Sequence, residues 1–293
     1  MKVILVCIGV FREWILDNIK QLKLQGNNDI VLLMEKKNFQ YINKDLDIDL
    51  IDINEYKSEY IQEFKKKLNL DTTFRDGFWY NCSLRFVYIY EYMRQNNITD
   101  IIHIENDNMI YENLDNLKDK FDKNKMYFAF DTFYPYHRAI PSIIYIPNHE
   151  IFKIILDNYD MNHNDMENLG KYINSSITEP FPIIFIENEK HFFNKNFIQF
   201  NCIFDANAIG QYLYGVDKRN DPNDTTGFIN EACVIKFNNY NFYWKKDNNL
   251  WNPYIEKNNN FYKILNIHVH SKFLNKFLSD NPVENKFITK IYK

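Results

Sequence analysis

An apolar run that breaks into acids and amides, Ile101-Ile102-His103-Ile104-Glu105-Asn106-Asp107-Asn108, restricts what this chain can fold into more than any other stretch. A strand buried on both faces of a parallel sheet reads as such a run. The sudden change of character then delivers charged side chains to the strand's C-terminal edge, which is where open α/β sheets bind their ligands. Read as continuing strand, the period of two puts Glu105 and Asp107 on one side and Asn106 on the other. Two adjacent carboxylates repel unless a cation lies between them. Hard oxygen donors of this kind suit Mg²⁺ or Mn²⁺, which keep positions open for substrate phosphates. Metal-bridged diphosphate chemistry is therefore expected here, against the plainer reading of a solvated turn in which Asp107 or Asn108 caps the next element.

The chain on either side agrees with an α/β sheet. Residues 3–9 form an apolar run, 14–24 carry helical spacing, and 30–34 are apolar again, a strand–helix–strand unit. The turn after the first strand holds one glycine, Gly9, and no Gly-x-Gly-x-x-Gly, so a nicotinamide enzyme is disfavoured. Gly9 and Arg12, at the end of that strand, are candidates to touch a nucleotide. A third strand is expected over 47–53 and a helix over 56–68. A longer helix from 78 to 95 carries Arg85, which either offers its fork to a phosphate or sugar or pairs with Glu91. Beyond the acidic stretch the pattern gives a helix over 113–121, strands over 127–131 and 142–146, and helices over 149–158 and 165–173. Asp165 and Glu167 read as acids favoured at a helix start.

Asp205 is placed to cap a short helix. Three of the chain's seven glycines, Gly210, Gly215 and Gly227, come after it, which suggests tight turns around something bound. Strands are expected over 232–237 and 241–244. No repeat, linker or low-complexity segment interrupts the 293 residues. One domain is expected, with a nucleotide-binding part over about 1–131 and an acceptor-side part over about 132–293.

Composition enters by exclusion. A net charge of −4, with lysines scattered among acids, argues against a nucleic-acid surface. Cys7, Cys82, Cys202 and Cys233 lie far apart with no Cys-x-x-Cys, so neither zinc nor a disulfide framework is indicated and a reducing compartment is expected. The apolar start is broken by Arg12 and Glu13, which fits a first strand better than a signal peptide or a transmembrane segment. A cytoplasmic location is the resulting expectation. Abundant Asn, Lys and Ile suggest an AT-rich genome, a virus acting in a host cytoplasm included.

The segment Ile267-His268-Val269-His270-Ser271-Lys272 adds imidazoles and a cation near the far end of the chain. Two histidines two residues apart project to one side of a strand, and neutral imidazole is a competent Mn²⁺ ligand. With Glu105-Asn106-Asp107 in place of an Asp-x-Asp motif, the chain resembles the GT-A nucleotide-sugar glycosyltransferases. The branch it resembles holds glycogenin and the bacterial lipopolysaccharide galactosyltransferases. Glu in the first motif position and the lack of a closing Lys-Pro-Trp are departures from that branch.

The resemblance implies a Rossmann-like α/β fold with a mixed, mostly parallel central sheet flanked by helices. It also implies a UDP-sugar donor, a glycan or protein acceptor, and Mn²⁺ or Mg²⁺ held by Glu105, Asp107 and either His268 or His270. Lys272 would contact the diphosphate, with Gly9, Arg12, Arg85 and Glu105 on the donor side. Asp205 would serve as base toward the acceptor, ahead of Asp131 and Glu231. Retention or inversion at the sugar is open, and a homodimer is compatible with it. Two other readings compete. A sugar nucleotidyltransferase shares the architecture but calls for a glycine-rich loop where this chain has Gly9-Val10-Phe11-Arg12. A non-catalytic nucleotide-sugar or glycan-binding protein would keep the scaffold without turnover.

Overall fold

A computed structural model describes residues 1–132 and 138–292. The chain opens with β1 (Lys2–Cys7), α1 (Trp14–Leu24), β2 (Ile30–Met34) and β3 (Asp49–Asp52). Helix α1 stops where Gly26 takes φ +80°, and the N–H of Asn27 turns back to the Leu22 carbonyl at 2.9 Å. A glycine here accepts the left-handed conformation at no steric cost, which closes the helix and sends the chain into β2. Helix α2 (Glu59–Lys67) starts on the Ser58 hydroxyl, which accepts from the Ile61 N–H at 3.2 Å. The lysines of its last turn complement the helix dipole. Helix α3 (Phe78–Asn96) leads into β4 (Ile101–Ile104), β5 (Asn108–Ile110), β6 (Met126–Thr132) and β7 (Arg138–Ile146). After α4 (His149–Asp157) and α5 (Asp165–Gly170) come β8 (Thr178–Pro180), α6 (Phe197–Phe200), β9 (Ile203–Phe204) and α7 (Ile209–Tyr214). The chain closes with β10 (Asn241–Asp247), β11 (Leu250–Lys257), β12 (Asn260–His268) and β13 (Ile288–Ile291).

The strands form two sheets rather than the one expected. The first runs β3-β2-β1-β4-β7-β6-β8. Its pairs are parallel from β3 to β4 and again between β6 and β8, with β7 antiparallel to both its neighbours. The mostly parallel sheet flanked by helices is thus as expected. The second runs β13-β10-β11-β12-β5, with β9 added beside β12, and is largely antiparallel. Aromatic side chains fill much of the space around them: Phe121 stacks on Tyr145 at 3.9 Å and Phe181 on Phe204 at 4.0 Å. The aromatic richness of the composition is largely core.

Three elements depart from the sequence expectation. The expected strand over 232–237 is a series of turns ending in a 3₁₀ turn at Phe237–Asn239. There the Asn230 side chain accepts from the Ala232 N–H and the Lys236 ammonium caps the carbonyls of Asn230, Glu231 and Cys233. Local side-chain bonding of this kind outcompetes strand pairing. The expected helix over 113–121 is a 3₁₀ segment, Leu114–Lys120, and the helix begun at Asp165 ends at Gly170. No helix among the described residues is long and apolar enough to cross a membrane.

Candidate metal centre and its cleft

Strand β4 ends at Ile104, so Glu105 and Asp107 sit on a turn and not on continuing strand. The Asn108 N–H closes that turn on the Glu105 carbonyl at 3.1 Å. Two amides brace it: Asn18 Nδ2 donates to the Glu105 carbonyl at 3.0 Å and Asn106 Nδ2 to the Val6 carbonyl at 2.7 Å. The expectation that strand alternation aligns the two acids is corrected, because the turn does it. Having turned, the chain leaves the first sheet and enters the second as β5.

That crossing explains how residues so distant in sequence meet. Strand β5 pairs antiparallel with β12 so that Asn108 stands opposite His268. The Val269 N–H extends the ladder to the Asp107 carbonyl at 2.8 Å, and Asn266 Nδ2 donates to Asn108 Oδ1 at 2.9 Å. A slip of one residue would turn His268 to the other face.

The acids and the imidazole converge. Ligand atoms of Glu105, Asp107 and His268 all lie within 4.8 Å of one another. His268 Nε2 is 3.4 Å from Glu105 Oε2 and 3.3 Å from Asp107 Oδ2, while its Nδ1 is buried without a partner. Two carboxylates and one imidazole nitrogen are a donor set that fits Mn²⁺, and Mg²⁺ less closely. Lys272, in the left-handed region at φ +66°, ion-pairs with Asp107. Burial opposes charge on Asp107, yet Lys272 and His268 hold its carboxyl well below the usual range. Burial likewise opposes protonation of His268, but the two acids raise its pKa.

His270 is not part of this group. Strand β12 ends at His268, and the His270 ring lies 6.2 Å from that of His268 with its Nδ1 accepting from the Asp217 N–H at 3.1 Å. Burial and the Lys272 charge push its pKa down to about 3. The expected single face shared by both histidines is corrected, because the strand stops between them.

A cleft of about 370 Å³ opens over these residues. One face of α3 lines it with Phe78, Asn81, Cys82 and Arg85, the spacing of a helical stripe. Arg85 is buried and does not pair with Glu91. Its guanidinium joins Glu105 Oε1 at 2.5 Å and Asp165 Oδ2 at 2.6 Å. Glu91 takes Arg94 and the Ser58 hydroxyl instead. Burial pushes the Asp165 carboxyl up to about 6, against the pull of Arg85.

Asp165 is thus more than a helix-start acid. The signal that separates it is present in the sequence: Asn164 and Glu167 already form the capping box, leaving Asp165 without that task. Arg12 lines the mouth of the cleft with Nη2 3.2 Å from Asp76. Gly9, at φ +79°, shapes the turn after β1 and its carbonyl accepts from Asn38 Nδ2 at 3.0 Å; its neighbours Ile8 and Val10 line the cleft, and Gly9 is not among the described lining residues.

Asp205 is corrected as the acceptor-side base. It is fully buried, does not line the cleft, and accepts the N–H groups of Ala208, Ile209, Gly210 and His268 at 2.8–3.0 Å. Four donors occupy the lone pairs of a carboxylate, leaving none for a substrate proton. Asp131 is buried on Arg138, Glu231 is exposed, and neither lines the cleft.

The mouth instead holds residues that residue type and spacing do not single out. Asp217 accepts from Arg75 Nη2 at 2.6 Å and from Arg219 Nη2 at 2.7 Å. The glycines nearby answer to chain packing. A Cβ on Gly210 would stand 2.0 Å from the His268 carbonyl oxygen, and one on Gly215 would stand 2.5 Å from Thr225 Oγ1.

Lastly, His103 lines the cleft floor, 1% exposed. Its Nδ1 donates to the Ile4 carbonyl at 2.9 Å and its Nε2 has no partner. Burial and the neighbouring Arg85 push its pKa down to about 3, so the ring is neutral.

No protein-family model matches this sequence, and no curated protein matches it. Among solved structures it is similar to an active-site mutant of LgtC, at 13% identity and TM-score 0.44 over 62% of this chain and 73% of that one. It is also similar to apo mouse xyloside xylosyltransferase 1, at 11% identity and TM-score 0.40 over 62% of this chain and 84% of that one. A cytidylyltransferase from Leptospira borgpetersenii stands at 11% identity and TM-score 0.38 over 62% and 75%.

Proposed function

We propose that this chain is a metal-dependent glycosyltransferase of GT-A type that moves a sugar from a UDP-sugar donor to an acceptor hydroxyl. The observation that carries the reading is the meeting of Glu105, Asp107 and His268 at the C-terminal edge of a parallel sheet. Those three residues would hold Mn²⁺ or Mg²⁺, with His268 rather than His270 as the nitrogen ligand. When bound, the ion supplies Lewis-acid neutralisation of the departing diphosphate.

The chain's own groups do the rest. Lys272, beside Asp107, brings a fixed cation to the oxygens where negative charge develops, which stabilises that charge without reorganisation. Arg85, tied down at both ends by Glu105 and Asp165, orients the donor and keeps Glu105 in place. Arg12, Arg75 and Arg219 ring the mouth and favour approach of an anionic nucleotide. Residues 1–131 supply most of the donor side, completed by His268 and Lys272, and the acceptor enters from the side of 132–293.

The test is a thermal-shift panel of nucleoside diphosphates and UDP-sugars with and without Mn²⁺. Ligand at about 100 times its Kd stabilises the native state by about 2.7 kcal/mol, a rise of about 4 °C for a chain of this size. UDP should raise Tm only with Mn²⁺, and Asp107→Ala should remove that rise. A shift given by nucleoside triphosphates and not by UDP would favour nucleotidyl transfer, and a UDP shift unchanged in Asp107→Ala would sink the metal assignment.

A further inference from the structure

His103 belongs to the stretch that organises the fold, yet nothing in the metal chemistry uses it. Its ring is held by one bond: Nδ1 donates to the Ile4 carbonyl on the neighbouring strand at 2.9 Å. The two ring nitrogens of an imidazole point to opposite edges, so Nε2 is directed away from β1. It is buried and has no hydrogen-bond partner among the described residues, in a side chain that lines the cleft. With the proton fixed on Nδ1, Nε2 presents a lone pair. A buried acceptor left unmade is costly, which makes it a demand on whatever fills the cleft.

The demand is selective. Phosphate oxygens have no hydrogen to give and are repelled by a lone pair. A nucleobase needs a flat partner. Among the described lining residues, the aromatic Trp14, Phe74 and Phe78 lie against Arg12 and Arg75, with Trp79 packed edge-on to Phe78, whereas His103, 1% exposed, neighbours the buried Arg85. Along α3, Arg85 lies two turns deeper than Phe78, about 10 Å by helical rise. Ligand hydroxyls remain as the fitting donors.

We propose that His103 Nε2 accepts a hydrogen bond from a hydroxyl of the sugar carried by the nucleotide donor, and that it helps decide which sugar is accepted. This rests on the proposed donor class. It makes His103 a specificity residue at the floor of the cleft, with the Ile4 carbonyl fixing its tautomer.

The test measures Kd by calorimetry with Mn²⁺ for UDP and for UDP-glucose, UDP-galactose and UDP-N-acetylglucosamine, in wild type, His103→Phe and His103→Gln. The best-bound sugar donor should weaken about 10-fold in His103→Phe, with UDP unchanged within about twofold, since one hydrogen bond to a neutral group is worth about that ratio. His103→Gln, which keeps an acceptor near the Nε2 position, should recover most of the loss.

A second arm uses deoxy analogues of that best-bound donor. On wild type, one of them should lose about the same 10-fold, and that loss should vanish in His103→Phe, the mark of a direct pair. Equal weakening of UDP and UDP-sugar in His103→Phe would assign the contact to the ribose and overturn the proposal. So would no loss in any variant, or a wild type indifferent to every deoxy analogue, while UDP binding with Mn²⁺ left the donor reading standing. Failure of wild type to bind any of these nucleotides would bring down both.

Discussion

Two buried aspartates flank His268 and do opposite work. Asp107 turns a carboxylate oxygen toward the ring at 3.3 Å, into the cleft. Asp205 accepts the backbone N–H of the same histidine at 3.0 Å and faces away. Asp205→Ala strands four N–H groups, so it should cost about 2–4 kcal/mol of stability in urea unfolding. A normal stability with a collapsed kcat would reinstate Asp205 as a base.

Asp217 gives a prediction in pH. Burial acts to raise its carboxyl, but Arg219 and Lys272 win and hold it down to about 2. Its folded pKa is therefore below the unfolded value of about 3.9, so its stabilising contribution is complete above that value and is lost as pH falls through about 2. Unfolding free energies measured from pH 5 down to 2 should fall less steeply in Asp217→Asn than in wild type. At this scale residue type and spacing single out Glu105, Asp107 and Lys272, which the fold brings side by side. The sequence misleads at Asp205, since a saturated carboxylate and a reactive one have the same letter.

Among elements, the junction of α7 with β12 sets the site's tolerance. Gly210 lies against the His268 carbonyl, and a methyl group there would overlap backbone. Gly210→Ala should therefore destabilise the fold by about 2 kcal/mol or more and weaken Mn²⁺-dependent UDP binding together with it. Loss of stability with undiminished binding would separate the junction from the site.

The loop entering α3 holds another lever. Arg75, Asp76 and Gly77 take φ of +51°, +63° and +76° in succession, an unusual left-handed stretch at the cleft mouth. Asp76→Gly should raise stability by up to about 1 kcal/mol, because a left-handed residue with a Cβ is disfavoured and its exposed partner Arg12 contributes little. The β1–α1–β2 unit and β4 are legible because continuous apolar runs have few other fates. Strand β5, three residues long, is not, because its identity comes from pairing with β12 and not from its own pattern.

Over the whole molecule, two sheets share one seam. The acidic turn belongs to the end of the first, His268 to the second, and β5 stitches them. A ligand that gathers Glu105, Asp107 and His268 therefore ties the sheets together. Amide exchange should slow on binding Mn²⁺ and UDP at 105–110 and 264–269 on both sides of the seam, and protection confined to 101–110 would contradict that. The sequence conveys a parallel sheet and two distant polar segments but not the second sheet, because alternation in residues 241–268 does not say which strands will be neighbours.

The ion pair between Lys272 and Asp107 would couple the loading of metal and diphosphate in the proposed reaction. An incoming divalent ion has to dislodge an ammonium already seated on its carboxylate, so the ion alone gains little. A diphosphate arriving with it offers that ammonium a new anion to rest on, and each ligand thereby strengthens the other. The protein should accordingly hold Mn²⁺ loosely by itself and tightly beside UDP, and neutralising Lys272 should flatten the difference.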